Sequence, residues 1–500
     1  MATRLTDTER AYLTQVNQAA LVNPFSAARA TLDAELAATS GDDPDQLARA
    51  ISRLAVRLEA IDRRLEDSDF AEESDRTLYE YGVLFEAFHK FSAEFDAHIR
   101  AQISAGATVV PLTFGRSLLA WLVARSIPPA RAERFLSLFF QMHRAWYFIA
   151  EGLTGVSRPV QALRESLWNN IFTGDLGRYE RLLWDRMEDF STILLGETGT
   201  GKGAAAAAIG RSGYIPWDAT RERFTESFAE AFVTLNLSQY PESLIESELF
   251  GHRKGAFTGA VDHHDGVFAR CSPHGAIFLD EIGEVSIPIQ IKLLRVLQER
   301  SFTPVGSHAA SRFSGRVIAA THRPLDKLRA EGRFRDDFYY RLCADVIAVP
   351  ALRDRIADGP ADLEALVATL VRRTLGQPSP EVAADVLAAI ARDLGPAHPW
   401  PGNVRELEQC IRRVLLTGRC RDLPAPVAEA PDAAAQALAQ GGLTAVELLD
   451  RYCAALYETH GTYEQVARVT GLDRRTVKKH VLAAAASLAE GEDPGYHPTP

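Results

Sequence analysis

The stretch that most constrains this chain is STILLGETGTGKGAAAAAIG, in which an apolar strand at residues 191–195 runs without a break into a glycine loop and then an alanine-rich helix start. Strand, loop and helix in that order turn a glycine pattern into a phosphate-binding expectation. The loop is Gly196, Glu197, Thr198, Gly199, Thr200, Gly201, Lys202 and Gly203. Its glycines let backbone N–H groups turn inward around phosphate oxygens, the helix N-terminus adds partial positive charge, and Lys202 reaches the β and γ phosphates. The general pattern ends in Ser or Thr, whose hydroxyl ligates Mg²⁺. Gly203 stands there instead, so metal ligation must depend on a carboxylate, water and the nucleotide itself.

The texture around the loop supplies that carboxylate. Short apolar runs alternate with longer helical stretches, which indicates a parallel sheet with crossover helices. The expected strands are 191–195, 232–235, 276–279, 316–320 and 346–349. One of them, AIFLDE, ends in Asp280 and Glu281 at the edge where parallel sheets place their ligands. Asp280 is the expected Mg²⁺ ligand, and Glu281 the group that polarises an attacking water.

With 500 residues the chain is too long for one small core, and two to four units are expected. Residues 1–152 read as mainly helical, rich in Ala, Leu, Glu and Arg. Leu47, Ile51, Leu54, Leu58, Ile61 and Leu65 share one helical stripe, favouring a helix packed on its own domain over a coiled coil. The dense aromatic run FLSLFFQMHRAWYFI, 135–149, reads as a buried core helix in preference to a ligand pocket. Residues 419–442 are rich in Pro and Ala, as expected of a linker. The five cysteines are scattered and read as reduced. No stretch approaches the roughly 18 uninterrupted apolar residues of a membrane span, and the opening residues lack a signal-peptide pattern. A cytoplasmic protein without membrane partners is the expectation. A net charge of −11 excludes a coat of basic residues for nucleic acid, though not one small basic module.

Between the loop and Asp280 stands ESELFGHRKGAFTGA, and here the sequence closely resembles bacterial enhancer-binding proteins, the AAA+ activators of sigma-54 RNA polymerase. The hexapeptide Gly255, Ala256, Phe257, Thr258, Gly259 and Ala260 is that family's most specific signature. The resemblance implies that it tips a mobile loop touching sigma-54. It continues through LDEIGEVSIPIQIKLLRVLQERSFTPVGS, AATHRPL, FRDDFYYRL and WPGNVREL, over about residues 155–417. It implies that Asn236 holds Glu281 away from water until the γ-phosphate is sensed, and that Thr321 is a first sensor. It implies too that Arg335 and Arg341 reach a neighbouring subunit's γ-phosphate, and that Arg405 is a second sensor on a helical lid. The family's loop usually carries Glu where this chain has Gly203. Residues 211–232, and the stretch before the first strand, look longer than the family's usual connections, with the adenine pocket or a subunit contact as the expected place of change.

Near the C-terminus, YEQVARVTGLDRRTVKKHV reads as helix, turn and helix. Ala467 and Val477 fit the packed face, Gly471 the turn and Asp473 the N-cap. Arg474, Arg475, Thr476, Lys478 and Lys479 are the candidate contacts to double-stranded DNA. The segment resembles the factor-for-inversion type of helix-turn-helix.

The expected fold is therefore an α/β AAA+ core, a parallel sheet with a helical lid, at 153–418. A mainly α-helical N-terminal regulatory or sensor domain at 1–152 precedes it. A linker at 419–442, an all-α helix-turn-helix domain at 443–485 and a tail at 486–500 follow. The expected function is ATP hydrolysis with Mg²⁺ in a homo-oligomer, dimer to hexameric ring, that remodels the sigma-54 polymerase closed complex from an enhancer-like site. The rival expectations are an ATP-sensing DNA-binding regulator with little hydrolysis, and an AAA+ remodeller of another protein.

Overall fold

The computed structural model describes residues 3–38, 45–65, 69–420 and 444–489. The chain divides into two compact units, Met1–Cys420 and Arg421–Pro500. Most of the expected linker, and the tail beyond residue 489, lie outside the described residues.

The first unit is organised by one five-stranded sheet: β1 (Thr192–Leu195), β2 (Phe232–Asn236), β3 (Ala276–Asp280), β4 (Arg316–Thr321) and β5 (Asp345–Ala348). Its order is β2-β3-β4-β1-β5 and every pairing is parallel. All five expected strands are present, each shifted by no more than a residue at either end. β4 is buried along its whole length, as a strand covered on both faces must be, which is why its sequence RVIAAT does not alternate. Its one charge, Arg316, is satisfied inside the protein by Asn170, Thr192 and the Phe190 carbonyl. Burial brings this guanidinium down to about 10.

Among the described residues, seven helices precede the expected boundary at residue 152: α1 (Asp7–Leu21), α2 (Ala27–Ala37), α3 (Gln46–Leu65), α4 (Glu73–Lys90), α5 (Ser92–Ala105), α6 (Gly115–Val123) and α7 (Pro129–Ala150). On α3 the expected stripe faces its own unit, with Leu54, Leu58 and Ile61 fully buried. On α7 thirteen residues are buried, as the core-helix reading requires, and one strip of it also borders a cavity. The hydrophobic core is continuous across the expected boundary at residue 152, running from Leu5 to Val349 and including Leu194, Ala206 and Phe278.

The longer connections pack against these N-terminal helices and do not line the cavity beside the phosphate loop. Residues 211–232 contain the short ladder Trp217–Asp218 with Arg223–Phe224. Phe224 stacks on Phe140 of α7 with ring centroids 3.9 Å apart. Next come α8 (Arg158–Phe172) ahead of β1 and α9 (Lys202–Gly210) behind it. A lid of α10 (Ala361–Leu375), α11 (Pro380–Asp393) and α12 (Asn403–Thr417) follows the sheet around its own core, centred on Val367, Val386, Leu407 and Ile411. Cys410 and Cys420 meet here as a disulfide, Cα atoms 4.8 Å apart, against the expectation of separate thiols. The turn that closes α12 folds Cys420 back, a proximity that a ten-residue spacing does not reveal.

The second unit contains α13 (Ala445–His460), α14 (Tyr463–Thr470) and α15 (Arg474–Ala489). Its buried centre is Cys453, Val466 and Val477; Val477 is packed as expected, while on α14 Val466 is buried and its neighbour Ala467 half-buried. Gly471 takes the left-handed turn position at φ +73°, and the Asp473 carboxylate accepts from the Arg475 N–H at 2.8 Å. Among the described residues no helix is long and apolar enough to cross a membrane.

Candidate functional site

The loop between β1 and α9 depends on its glycines. Gly199 and Gly201 have φ of +81° and +104°. A side chain at Gly199 would lie 2.2 Å from the Gly402 carbonyl oxygen. That close approach lets the Val404 N–H donate to Gly199 O at 3.0 Å, joining the loop to the start of α12. Asn403 strengthens the joint through Thr198 O at 3.1 Å and the Leu352 N–H at 2.8 Å, from a strained backbone at φ +52°. Lys202 opens α9 and donates to the carbonyls of Gly196 and Glu197 at 2.8 and 3.0 Å. Burial lowers its pKa against the opposing charges of Glu281 and Asp280.

β2 and β3 end side by side, with Asn236 opposite Asp280. Burial raises the Asp280 pKa, the Glu281 charge adds to this, and Lys202 opposes it. A cation beside Asp280 would offset that penalty, so the carboxylate fits the oxygen-donor chemistry of Mg²⁺. No group of three or more His, Cys, Asp or Glu able to hold a metal unaided occurs among the described residues.

Glu281 sits at φ +58°, and its Oε2 lies 2.8 Å from Nδ1 of His322. The resemblance implied that Asn236 would be its holder, but the geometry differs. Asn236 Nδ2 reaches Asp280 at 3.4 Å, while its Oδ1 accepts from the N–H and hydroxyl of Ser238. His322 follows Thr321 at the end of β4, directly across from the end of β3, and so its ring gets to Glu281 first.

Asp280, Glu281, Asn236 and the loop from Thr198 to Gly203 border a cavity of about 570 Å³, within the size range of small-molecule sites. Leu153, Val160 and Leu163 add an apolar wall, Leu366 and Leu370 of α10 close it, and Arg405 brings a guanidinium from α12. The cavity brings together most of the expected nucleotide residues. Gly196 and Glu197 are not in its wall. Glu197 turns instead to Arg353 at 2.9 Å and Asn403 at 3.2 Å, and Arg353 foremost, then Asn403, hold its carboxyl down at about 2. Thr321 is fully buried behind the loop and touches it through its carbonyl, which accepts from Gly196 N–H at 3.4 Å. Arg335 is paired with Asp337, and Arg341 donates to Leu297 O, so neither guanidinium enters this cavity.

Residues 255–260 form a tight loop on the surface. The Gly255 N–H donates to Ala260 O at 2.8 Å, with φ of +78° at Gly255 and +103° at Gly259. Ala260 is buried at the base, Thr258 is exposed, and Phe257 remains 38% exposed with its ring edge-on to His252. A Cβ on Gly306 would lie 2.7 Å from the Ala256 methyl carbon, so Gly306 forms the floor of the loop.

In the second unit Arg474, Arg475, Lys478 and Lys479 are exposed on α15, and Thr476 is half-buried. Arg474 is engaged by Glu464 at 2.8 Å. Sequence reasoning missed His322, Arg353, Asn403 and the apolar wall at 153–163. His322 and Asn403 stood inside recognised motifs as neighbours of the residues chosen. Nothing local marks the other positions.

Residues 182–348 match the family described as the Sigma-54 interaction domain. The hydrogenase transcriptional regulatory protein HoxA of Cupriavidus necator is 44% identical over 230 residues, covering 45% of this chain and 43% of HoxA. The Nif-specific regulatory protein of Azotobacter vinelandii is 40% identical over 305 residues, covering 57% of this chain and 53% of that protein. Among solved structures, NtrX from Brucella abortus in complex with ATP is 22% identical with a TM-score of 0.40, over 73% of this chain and 80% of that chain. The chain thus spans about half the length of these curated relatives.

Proposed function

We propose that the chain, whose residues 182–348 match the Sigma-54 interaction domain family, is a cytoplasmic sigma-54-dependent transcriptional activator that hydrolyses ATP with Mg²⁺ in an oligomeric ring. The observation that carries this reading is the cavity in which the phosphate loop, Asp280, Glu281 and the lid residue Arg405 converge. Lys202 and the N-terminal N–H groups of α9 hold phosphate oxygens. Asp280 would hold Mg²⁺, which would supply positive charge against the charge developing on the phosphate. Glu281 orients and polarises the attacking water once its contact with His322 is given up. Arg405 ties the lid to the γ-phosphate, and Thr321 acts from behind through its backbone contact with the loop. The glycine-flanked loop with Phe257 and Thr258 at its tip is the sigma-54 contact.

Arg335 and Arg341 serve a neighbouring protomer. Their absence from this chain's own cavity supports that assignment, since a guanidinium offered in trans makes hydrolysis depend on assembly. The α13–α15 unit binds enhancer-like double-stranded DNA through Arg474, Arg475, Thr476, Lys478 and Lys479. Two observations favour a second reading, an ATP-sensing DNA-binding regulator with little turnover: the missing hydroxyl at Gly203, and Glu281 engaged by His322.

Phosphate release with ATP and Mg²⁺, measured per chain at rising protein concentration, separates the two. The activator reading expects a rate that climbs with concentration and is lost in Arg335→Ala and Arg341→Ala. Nucleotide binding without turnover at any concentration would leave the sensor. With a transition-state analogue trapped, sigma-54 capture that is lost in Phe257→Ala supports the polymerase contact; capture indifferent to that substitution points to another target.

A further inference from the structure

The N-terminal helices enclose a second cavity, of about 310 Å³, remote from the phosphate loop in its lining and built from different chemistry. Its walls are largely aromatic, including Phe85, Phe88, Phe139, Trp146 and Trp168, with Met142 filling between them. Arg29 and Asp33 line it and pair with each other at 2.8 Å, and Glu180 in its wall is paired with Arg134 at 2.7 Å. Asp96 also lines it, with its carboxyl raised by burial, which disfavours an anionic guest.

Two imidazoles face this space. Burial brings both His89 and His143 down to about 3, so both are neutral at pH 7. Nε2 of His143 is used by the Phe88 carbonyl at 3.2 Å, and its ring stacks on Phe88 at 4.1 Å. Nε2 of His89 is buried with no hydrogen-bond partner. That nitrogen is closed off as the ring stands, so a ligand reaches it with a turn of the His89 ring, and the pairing then removes the cost of the orphaned group.

We propose that this cavity is a binding site for a small uncharged aromatic molecule of one or two rings, bearing one hydrogen-bonding group that meets Nε2 of His89. The aromatic walls supply stacking and apolar contact, and the single unpartnered nitrogen sets orientation. The wall helix α7 is also the helix that clamps the far end of α9. Arg144 donates to Arg211 O and Gly213 O at 2.9 and 2.7 Å, and Gln141 donates to Ser212 O at 2.9 Å. A guest in the cavity therefore leans on the element that anchors the phosphate-loop helix. The binding claim stands apart from the ATPase reading and is tested without it.

The test is a saturation-transfer NMR titration of the full chain with indole as probe. Saturable binding with a Kd below about 1 mM is expected. His89→Leu should weaken it about five- to tenfold, the value of one hydrogen bond. Met142→Trp and, at another lining position, Ala20→Met should each abolish it, with circular dichroism and melting confirming that at least one variant is folded. No saturable signal, or unchanged affinity in a folded cavity-filling variant, overturns the site. Unchanged affinity in His89→Leu overturns the assignment of the polar contact.

Discussion

Arg355→Met tests whether the phosphate-loop core, its preceding turn and its lid are held as one piece. Arg355 donates from Nε to Asp362 at 2.7 Å and from its terminal nitrogen to Thr154 O at 2.5 Å, with both partners of the ion pair buried. Asp362 also accepts from the N–H groups of Val156 at 2.5 Å and Ser157 at 3.0 Å. Breaking a buried pair costs about 3–5 kcal/mol, and the two remaining backbone donors put this case near the lower end, about 3 kcal/mol. For a unit of 420 residues that corresponds to a melting shift of roughly 3–4 °C. Burial alone would raise the Asp362 pKa; the Ser157 N–H and the Arg355 charge reverse this and leave it lowered. The stabilisation from that lowered pKa is therefore complete above the unfolded-state value of roughly 3.9 and is lost as pH falls through the native one. The gap between wild type and Arg355→Met, read by calorimetry at pH 7 and again below pH ~4, should shrink at the lower pH. Arg355→Met combined with Asp362→Asn should recover part of the loss. A loss under about 1 kcal/mol at neutral pH, or no recovery in the double variant, refutes the reasoning.

Asp280→Asn should raise the melting temperature of the nucleotide-free chain at neutral pH, because burial and Glu281 raise this carboxyl and disfavour its charge. The same substitution should remove Mg²⁺-dependent phosphate release; an unchanged or lower melting point contradicts the electrostatic account. His322→Ala removes the contact with Glu281 and should change phosphate release, while nucleotide affinity, measured by calorimetry, stays within about twofold. His322→Asn should restore part of the wild-type behaviour. Gly306→Ala drives a methyl into Ala256 and needs a positive φ of +75°, so it should destabilise by about 1–2 kcal/mol. It should also weaken sigma-54 capture while leaving nucleotide affinity intact.

The sheet was legible because each strand is a short apolar run bounded by Gly, Asp or Asn, and in the three central strands burial on both faces removes any competing pattern. Asp280 and Lys202 were legible for a related reason: each sits at a fixed offset from such a boundary, where chain direction alone decides what meets the ligand, whereas Arg405, on a lid helix, was reached only through the resemblance carried by WPGNVREL. His322 was not, since its contact with Glu281 depends on how far two adjacent strands extend before turning. The pairing of Cys410 with Cys420 was equally hidden, being produced by a turn that the spacing leaves open.

The cavity among the N-terminal helices marks the division most clearly. The sequence by itself determined that α7 would be an aromatic, largely buried helix, because no other placement hides that much apolar surface. Only the tertiary structure decided that its rings stop short of filling the space, and that His89 would point a nitrogen at nothing. Apolar pattern specifies which faces turn inward, whereas the volume left between them depends on how seven helices of unequal length pack, a sum of many small contacts that no local stretch of sequence records.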